Sequence, residues 1–157
     1  MTHDGNVKSA LFATWSSLLD STNGASVSAR SLARGLARRW GRVSSFCGAA
    51  TDDGPSTDLE DILKKTGIRY SKSLLFPPDD TYSLFLYKDE NVQNFVFRGR
   101  DRSLMPSDRD VELYLGLFED SLRDSPEDIV VTYGGGRFGD RLHESARKHV
   151  CKIVFLL

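Results

Sequence analysis

The chain has 157 residues, of which 39% are apolar and 27% charged, with a formal net charge of −1. This length predicts one domain, and the apolar content is sufficient for a buried core, which excludes a disordered polypeptide. The nearly balanced charge argues against a general nucleic-acid binder. Two cysteines, Cys47 and Cys151, lie in or beside apolar segments without metal-ligand spacing, so we expect reduced core residues and no metal site.

The start of the sequence does not have the pattern of a signal peptide. Residues 1–8 are polar and lack the apolar region of a signal peptide, and no run approaches the ~18 apolar residues of a membrane span. We therefore expect a disordered lead at 1–8, a single domain at 9–157 and a cytoplasmic location.

The first predicted elements are a central strand, Leu11–Trp15, a polar loop over 16–25 and a helix. Ser26 or Ser28 is expected to cap this helix, and Gly41 to end it. Its apolar residues recur at helical spacing and predict one buried face: Ala29, Leu32, Ala33, Leu36, Ala37 and Trp40. The opposite stripe is expected to face solvent, with contact to an acidic membrane surface as the alternative: Arg30, Arg34 and Arg38.

The rest of the chain continues to alternate strands and helices. Strands are predicted at Val43–Cys47, Ile68–Leu74, Asp128–Tyr133 and Lys152–Leu157, an antiparallel hairpin over 81–98, and helices at 58–66, 107–122 and 137–149. This pattern predicts a Rossmann-like three-layer sandwich: a mainly parallel sheet with helices on both faces and an added β-hairpin. Since the chain stops in its last predicted strand, we expect a fragment cut at a domain boundary.

Two glycine-bearing loops after predicted strands are candidate binding sites. The turn Asn23-Gly24-Ala25-Ser26 could hold a phosphate or a sugar hydroxyl with backbone N–H groups, or Gly24 could merely permit the turn. The run Gly134-Gly135-Gly136 costs chain entropy that close approach of a ligand would justify, with a flexible surface loop as the alternative. Arg137 beside it could contact an anionic group or be solvated. Neither GxGxxG nor a P-loop is present, which disfavours both dinucleotide and P-loop folds.

Other charged groups do not assemble into a site by spacing. Interleaved acidic residues nearly cancel the positive charge of four arginines that could otherwise clamp an anion: Arg98, Arg100, Arg102 and Arg109. His143 and His149 have no partner at ligand spacing and are expected at the surface or a sheet edge. The sequence therefore assigns no catalytic residue.

Three stretches share a recurring pattern of strand, glycine-bearing loop and helix: FATWSSLLDSTNGASVSARSLARGLARRWGRVSSFCG, DIVVTYGGGRFGDRL and HVCKIVFLL. Residues 35–43 read like ALARRGHxV, 128–134 like DVVxxxG, and 146–154 like ARxxGxPxV. In these stretches the chain resembles the N-terminal half of nucleotide-sugar glycosyltransferases with the GT-B fold, most closely the retaining, family-four-like type.

The resemblance implies an acceptor-binding domain whose first-strand loop faces the donor's phosphates and transferred sugar. The donor would be a nucleotide-sugar bound mainly by a C-terminal domain absent from this sequence, the acceptor a sugar, a lipid or another molecule, and no further cofactor is implied. The fragment alone would be inactive, and the enzyme could lie peripherally at the inner face of the membrane. The family's catalytic histidines have no clear counterpart here, and its pattern does not place the hairpin.

Two functions from other classes compete with this one. The first is a non-enzymatic, flavodoxin-like α/β module that binds a ligand or partner in the same crevice. The second is a nucleotide-binding or methyltransferase-like enzyme, which needs an acidic residue at the end of the second strand. Phe46-Cys47-Gly48 offers none.

Overall fold

A computed structural model describes residues 9–101, 103–149 and 152–156. The expected lead at 1–8, Arg102 and Cys151 lie outside the described residues. The described strands are β1 (Ser9–Ser16), β2 (Arg42–Ala50), β3 (Tyr70–Phe76), β4 (Asp79–Asp89), β5 (Val92–Arg98), β6 (Ile129–Tyr133) and β7 (Ile153–Leu156). The α-helices are α1 (Gly24–Ala37), α2 (Leu59–Thr66), α3 (Asp108–Asp124) and α4 (Gly136–Arg147).

The seven strands form one sheet in the order β3-β4-β5-β2-β1-β6-β7. The five strands from β5 to β7 run parallel, and β3, β4 and β5 pair antiparallel. The sheet is therefore mainly parallel, as predicted, and β2, β1, β6 and β7 are consecutive neighbours in it. The predicted hairpin extends the main sheet, because its second strand, β5, pairs in parallel with β2.

Helices cover both faces of the sheet, which gives the predicted Rossmann-like three-layer α/β fold. On one face, α3 and α4 bury an aromatic cluster that includes Phe46, Tyr114 and Phe118. On the other face, α1 packs Ala33 against Phe12, and α2 packs Leu63 against Phe85. Since β1 is covered on both faces, seven of its eight residues are buried, as its apolar sequence predicts.

In the middle of the sheet, two segments that are far apart in the sequence are hydrogen-bonded to each other. The Ser9 backbone N–H donates to the Asp128 carboxylate at 3.0 Å, and the Asp128 N–H donates to Ser9 Oγ at 3.0 Å. These bonds hold the start of β1 beside the start of β6, although 119 residues separate them.

Helix α1 departs from its prediction at both ends. Asn23 is the N-cap, since its side chain accepts from the Ser26 N–H, so neither Ser26 nor Ser28 caps the helix. The turn expected before the helix is therefore its first turn. The helix ends at Ala37, and Trp40 follows it.

The expected buried face of α1 is also wrong in part. The buried stripe consists of the small residues Ser26, Ala29 and Ala33, whereas Leu32 is 45% exposed. Helix α1 is rotated about its axis relative to the prediction, because the acidic corner between β4 and β5 lies beside it and pairs with its arginines. Arg30 and Arg34, expected in solvent, donate to Asp89 at the end of β4 and are about 70% covered.

Other boundaries differ by a few residues. Asp58 and Ser107 cap α2 and α3 as expected, and Gly67 ends α2 in the left-handed region. Strand β2 runs on to Ala50, because Gly48 lets the backbone approach the Trp15 carbonyl more closely than any Cβ would allow. None of the helices in the described ranges is long and apolar enough to cross a membrane.

Candidate functional site at the carboxyl edge

The adjacent parallel strands β1 and β6 mark the point where the strand order reverses. From β1 the sheet is extended on one side, to β2, and from β6 it is extended on the other, to β7. From β1 the chain turns to α1 on one face, and from β6 it turns to α4 on the opposite face. The two loops therefore separate at the carboxyl edge and leave a crevice between them. This is the position at which open α/β sheets bind ligands.

Asp20 fixes the loop between β1 and α1. Its carboxylate accepts from the Thr22 N–H at 2.9 Å, from Thr22 Oγ1 at 2.6 Å and from the Asp52 N–H at 2.7 Å. Burial alone would raise the pKa of Asp20, but these hydrogen bonds outweigh it and lower the pKa below 3.8. Asp20 therefore ties the β1 loop to the end of β2. The Asp-x-Thr pattern, typical of Asx turns, is the signal that sequence reasoning missed.

The predicted turn Asn23–Ser26 lies at this edge, but its four residues play different roles. Asn23 Oδ1 caps the helix, and its Nδ2 donates to Asp52 Oδ1 at 2.9 Å, so its side chain serves the fold. Gly24 and Ala25 are exposed. Their N–H groups belong to the first turn of α1, where a helix provides no acceptor. The turn thus offers backbone donors and the positive end of a helix dipole.

Two buried hydroxyls near this turn lack a hydrogen-bond partner within the described ranges. Ser26 Oγ, on the buried stripe of α1, belongs to a residue that is 1% exposed, and Thr51 Oγ1 to one that is 2% exposed. Thr51 follows β2, and Ala49 and Cys47, two and four residues earlier, pack on the face of the sheet that α1 and α2 cover. An unpaired buried hydroxyl is costly, at ~1–3 kcal/mol, and the described residues supply no partner for these two.

The second predicted loop, Gly134–Gly136, lies on the other side of the crevice. Gly134 (φ 105°) and Gly136 (φ 74°) adopt left-handed conformations, which explains two of the three glycines without a ligand. Gly135 has open space around it. Arg137 is mostly exposed, and its Nη1 lies 3.8 Å from Asp108 Oδ1. The expected use of this loop in binding therefore rests on Gly135 and Arg137.

Tyr133 connects the two loops. It packs against Leu18 in the loop after β1 and Ala29 in α1, immediately before Gly134. Burial raises the pKa of its hydroxyl above 10. The structure thus brings both predicted segments to one edge, on either side of a neutral aromatic side chain.

A cavity of about 300 Å³ opens on the α4 side of this edge. It lies between Gly135–Phe138 and the loop before α3, where Leu104 and Met105 are exposed. Phe138 contacts the Trp15 ring at 5.4 Å between centroids, and Trp15 Nε1 donates to the Ser103 carbonyl at 2.8 Å. No sequence pattern predicts this cavity, because its two walls are distant in the chain.

The remaining candidate residues serve the fold. Arg98 is buried and bonds to Asp80 at 3.0 Å and Asp58 at 3.4 Å. His143 and His149, for which no partner was expected, lie 3.5 Å from Thr132 Oγ1 and 3.4 Å from Glu119 Oε2. Across the described ranges, no three His, Cys, Asp or Glu residues are arranged to hold a metal.

No known protein family, curated protein or solved structure matches this chain. The geometry of the carboxyl edge is therefore the basis of the functional proposal.

Proposed function

We propose that this chain is the acceptor-binding domain of a glycosyltransferase. A hydroxyl-rich acceptor binds in the crevice between β1 and β6 and receives a sugar from a nucleotide-sugar. The first turn of α1 supplies backbone donors, and Gly135 and Arg137 form the opposite wall. Asp20 and Asn23 hold the first wall in place.

The observation that carries the proposal is the pair of unpartnered hydroxyls, Ser26 Oγ and Thr51 Oγ1, in the segments that follow β1 and β2. A hydroxyl both donates and accepts, so it matches the hydroxyls of a sugar. The hydroxyls and backbone N–H groups on the α1 side of the crevice are uncharged, so this wall suits the hydroxyls of a polyol. Their lack of partners favours a ligand over a purely structural role, since natural folds satisfy nearly all buried polar atoms.

The identity of the transferred group rests on the resemblance in sequence. Glycosyl transfer requires charge stabilisation of the departing nucleoside diphosphate. The described residues contain no dinucleotide fingerprint or P-loop. The proposal therefore assigns the donor mainly to another domain of the enzyme, and this chain alone should not turn over a nucleotide-sugar.

Replacing the unpartnered hydroxyl tests the proposal. In the full-length protein, Ser26→Ala should leave the thermal midpoint unchanged or raise it, because a buried group without a partner is removed. The same change should lower glycosyl transfer about fivefold to tenfold, the equivalent of one hydrogen bond to the acceptor. Product formation from UDP- and GDP-sugars and a thermal melt are the two measurements. Ser28→Ala, at an exposed position of the same helix, is the matched control.

A second variant tests the edge itself. Gly24 has free space around it and ordinary backbone angles, so Gly24→Val should fold and obstruct the crevice. Gly35→Val, in the same helix with equal free space, should not affect transfer. Undiminished transfer by folded Gly24→Val would contradict the assignment. Acceptor binding without sugar transfer would support the non-enzymatic module instead, and consumption of a nucleoside triphosphate would replace glycosyl transfer with phosphoryl transfer.

A further inference from the structure

The cavity on the α4 side has an apolar wall that is held in place. Met105 is 84% exposed and Leu104 is 47% exposed, although large apolar side chains are normally covered. The loop that carries them is braced at both ends of the pair. Ser103 Oγ donates to the Met105 carbonyl at 2.9 Å, and the Met105 N–H donates back to Ser103 Oγ at 3.2 Å.

The floor of the cavity is aromatic. Phe138 packs edge-on against Trp15, at 5.4 Å, and against Tyr114, at 5.2 Å between ring centroids. Val111 lies beside it and is 5% exposed. This floor belongs to the main core, so it does not need a ligand to form, and preformed apolar sites bind without an ordering cost.

The opposite wall carries two arginines beside the Asp108 carboxylate. Arg137 and Arg141 stand one helical turn apart on α4 and both line the cavity. Arg141 pairs with Glu112, whereas the Arg137 guanidinium is 3.8 Å from Asp108, beyond hydrogen-bond distance. Arg137 is therefore available to a second anion, and the amides at the start of α4 favour negative charge at the same place.

We propose that this cavity binds a small amphipathic anion: an apolar chain or ring on Met105, Leu104 and Phe138, with a phosphate or carboxylate at Arg137. A volume of about 300 Å³ is at the lower end of ligand pockets, so it accepts a ring or a short chain rather than a whole lipid. The inference rests on the proposed function for one point, that this anion is part of the acceptor. The binding site itself does not depend on glycosyl transfer.

Calorimetric titration of the full-length protein with n-octyl phosphate, below its micelle concentration, tests the site. Saturable one-to-one binding is expected. Arg137→Gln should weaken it about threefold to tenfold, because Arg137 is solvated and its ion pair is screened. Met105→Ser should weaken it about tenfold through the lost apolar contact. Arg123→Gln, an exposed arginine on α3 away from the cavity, should have no effect.

Two further probes separate the two parts of the ligand. n-Octyl β-glucoside, which is neutral, should bind more weakly, lose affinity with Met105→Ser and be indifferent to Arg137→Gln. Inorganic phosphate should bind much more weakly than octyl phosphate. Equal effects of Arg137→Gln on both octyl compounds, or octyl phosphate binding only above the micelle concentration, would overturn the proposal.

These results are distinguishable from failure of the proposed function. Octyl phosphate binding needs no donor and does not involve Ser26 or Gly24. If glycosyl transfer is disproved, the proposed anion site is unaffected. Conversely, absence of octyl phosphate binding would remove Arg137 from the proposed crevice but leave its other wall, the first turn of α1, in place.

Discussion

At the scale of single residues, the Asp89 carboxylate binds two arginines at once. Its carboxylate receives Arg30 at 2.8 and 3.1 Å and Arg34 at 2.6 and 3.0 Å, which is two bidentate pairs on one group. Burial by itself raises the pKa of Asp89, but the two arginines outweigh it and hold the pKa at about 2. Asp89 therefore fastens α1 to the hairpin corner.

This pair predicts an acid-dependent loss of stability. The folded pKa is below the unfolded value of ~3.9, so the contribution, about 2 kcal/mol, is complete above pH 5 and lost as the pH falls from about 4 to 2. The stability difference between wild type and Asp89→Asn, measured by urea unfolding, should shrink over the same range. Asp120→Asn, which removes a surface pair on α3, should change stability by less than ~1 kcal/mol at any pH. A difference for Asp89→Asn that is independent of pH would contradict this assignment.

At the scale of elements, patterning predicted which segments form helices and strands better than it predicted which way they face. Helix α3 has one clear buried face, because Val111, Tyr114 and Phe118 are large apolar residues at helical spacing. The sequence of α1 is ambiguous, since small residues and leucines both recur at helical spacing. The arginine pairs to Asp89 decide its rotation, and no local pattern reveals a partner 55 residues away.

The rotation of α1 gives a direct comparison of two leucines. Leu32→Ala should cost less than ~0.5 kcal/mol, because Leu32 is half exposed and surface changes are mostly that small. Leu63→Ala on α2 should cost ~2–5 kcal/mol, as for buried leucines in general, since its side chain is fully buried against Phe85. Denaturant melts of both variants check this. Equal losses of stability in the two variants would show that Leu32 is buried after all.

At the scale of the whole molecule, the α/β class and the mainly parallel sheet could be predicted from the alternation of strands and helices. The place of β5 could not, because a hairpin strand that also pairs in parallel with β2 leaves no local signal. Of the candidate site, the position of the two loops could be predicted, whereas the wall of the cavity could not. Both loops lie at the carboxyl edge as expected, since parallel strands dictate it. The braced Leu104–Met105 wall was missed, because it depends on two distant segments meeting.

The bonds between Ser9 and Asp128 also bear on the order in which the chain folds. They close a loop of 119 residues, whereas β4 and β5 are joined by a short turn, so closing the longer loop costs roughly 3 kcal/mol more in chain entropy. We expect the β3-β4-β5 meander to acquire protected amides first, and β1 to join β6 last. Pulsed hydrogen exchange during refolding should reveal this sequence, and simultaneous protection of all strands would refute it. The newly forming protein would then lack the proposed binding crevice until the final step, when the two strands that flank it meet.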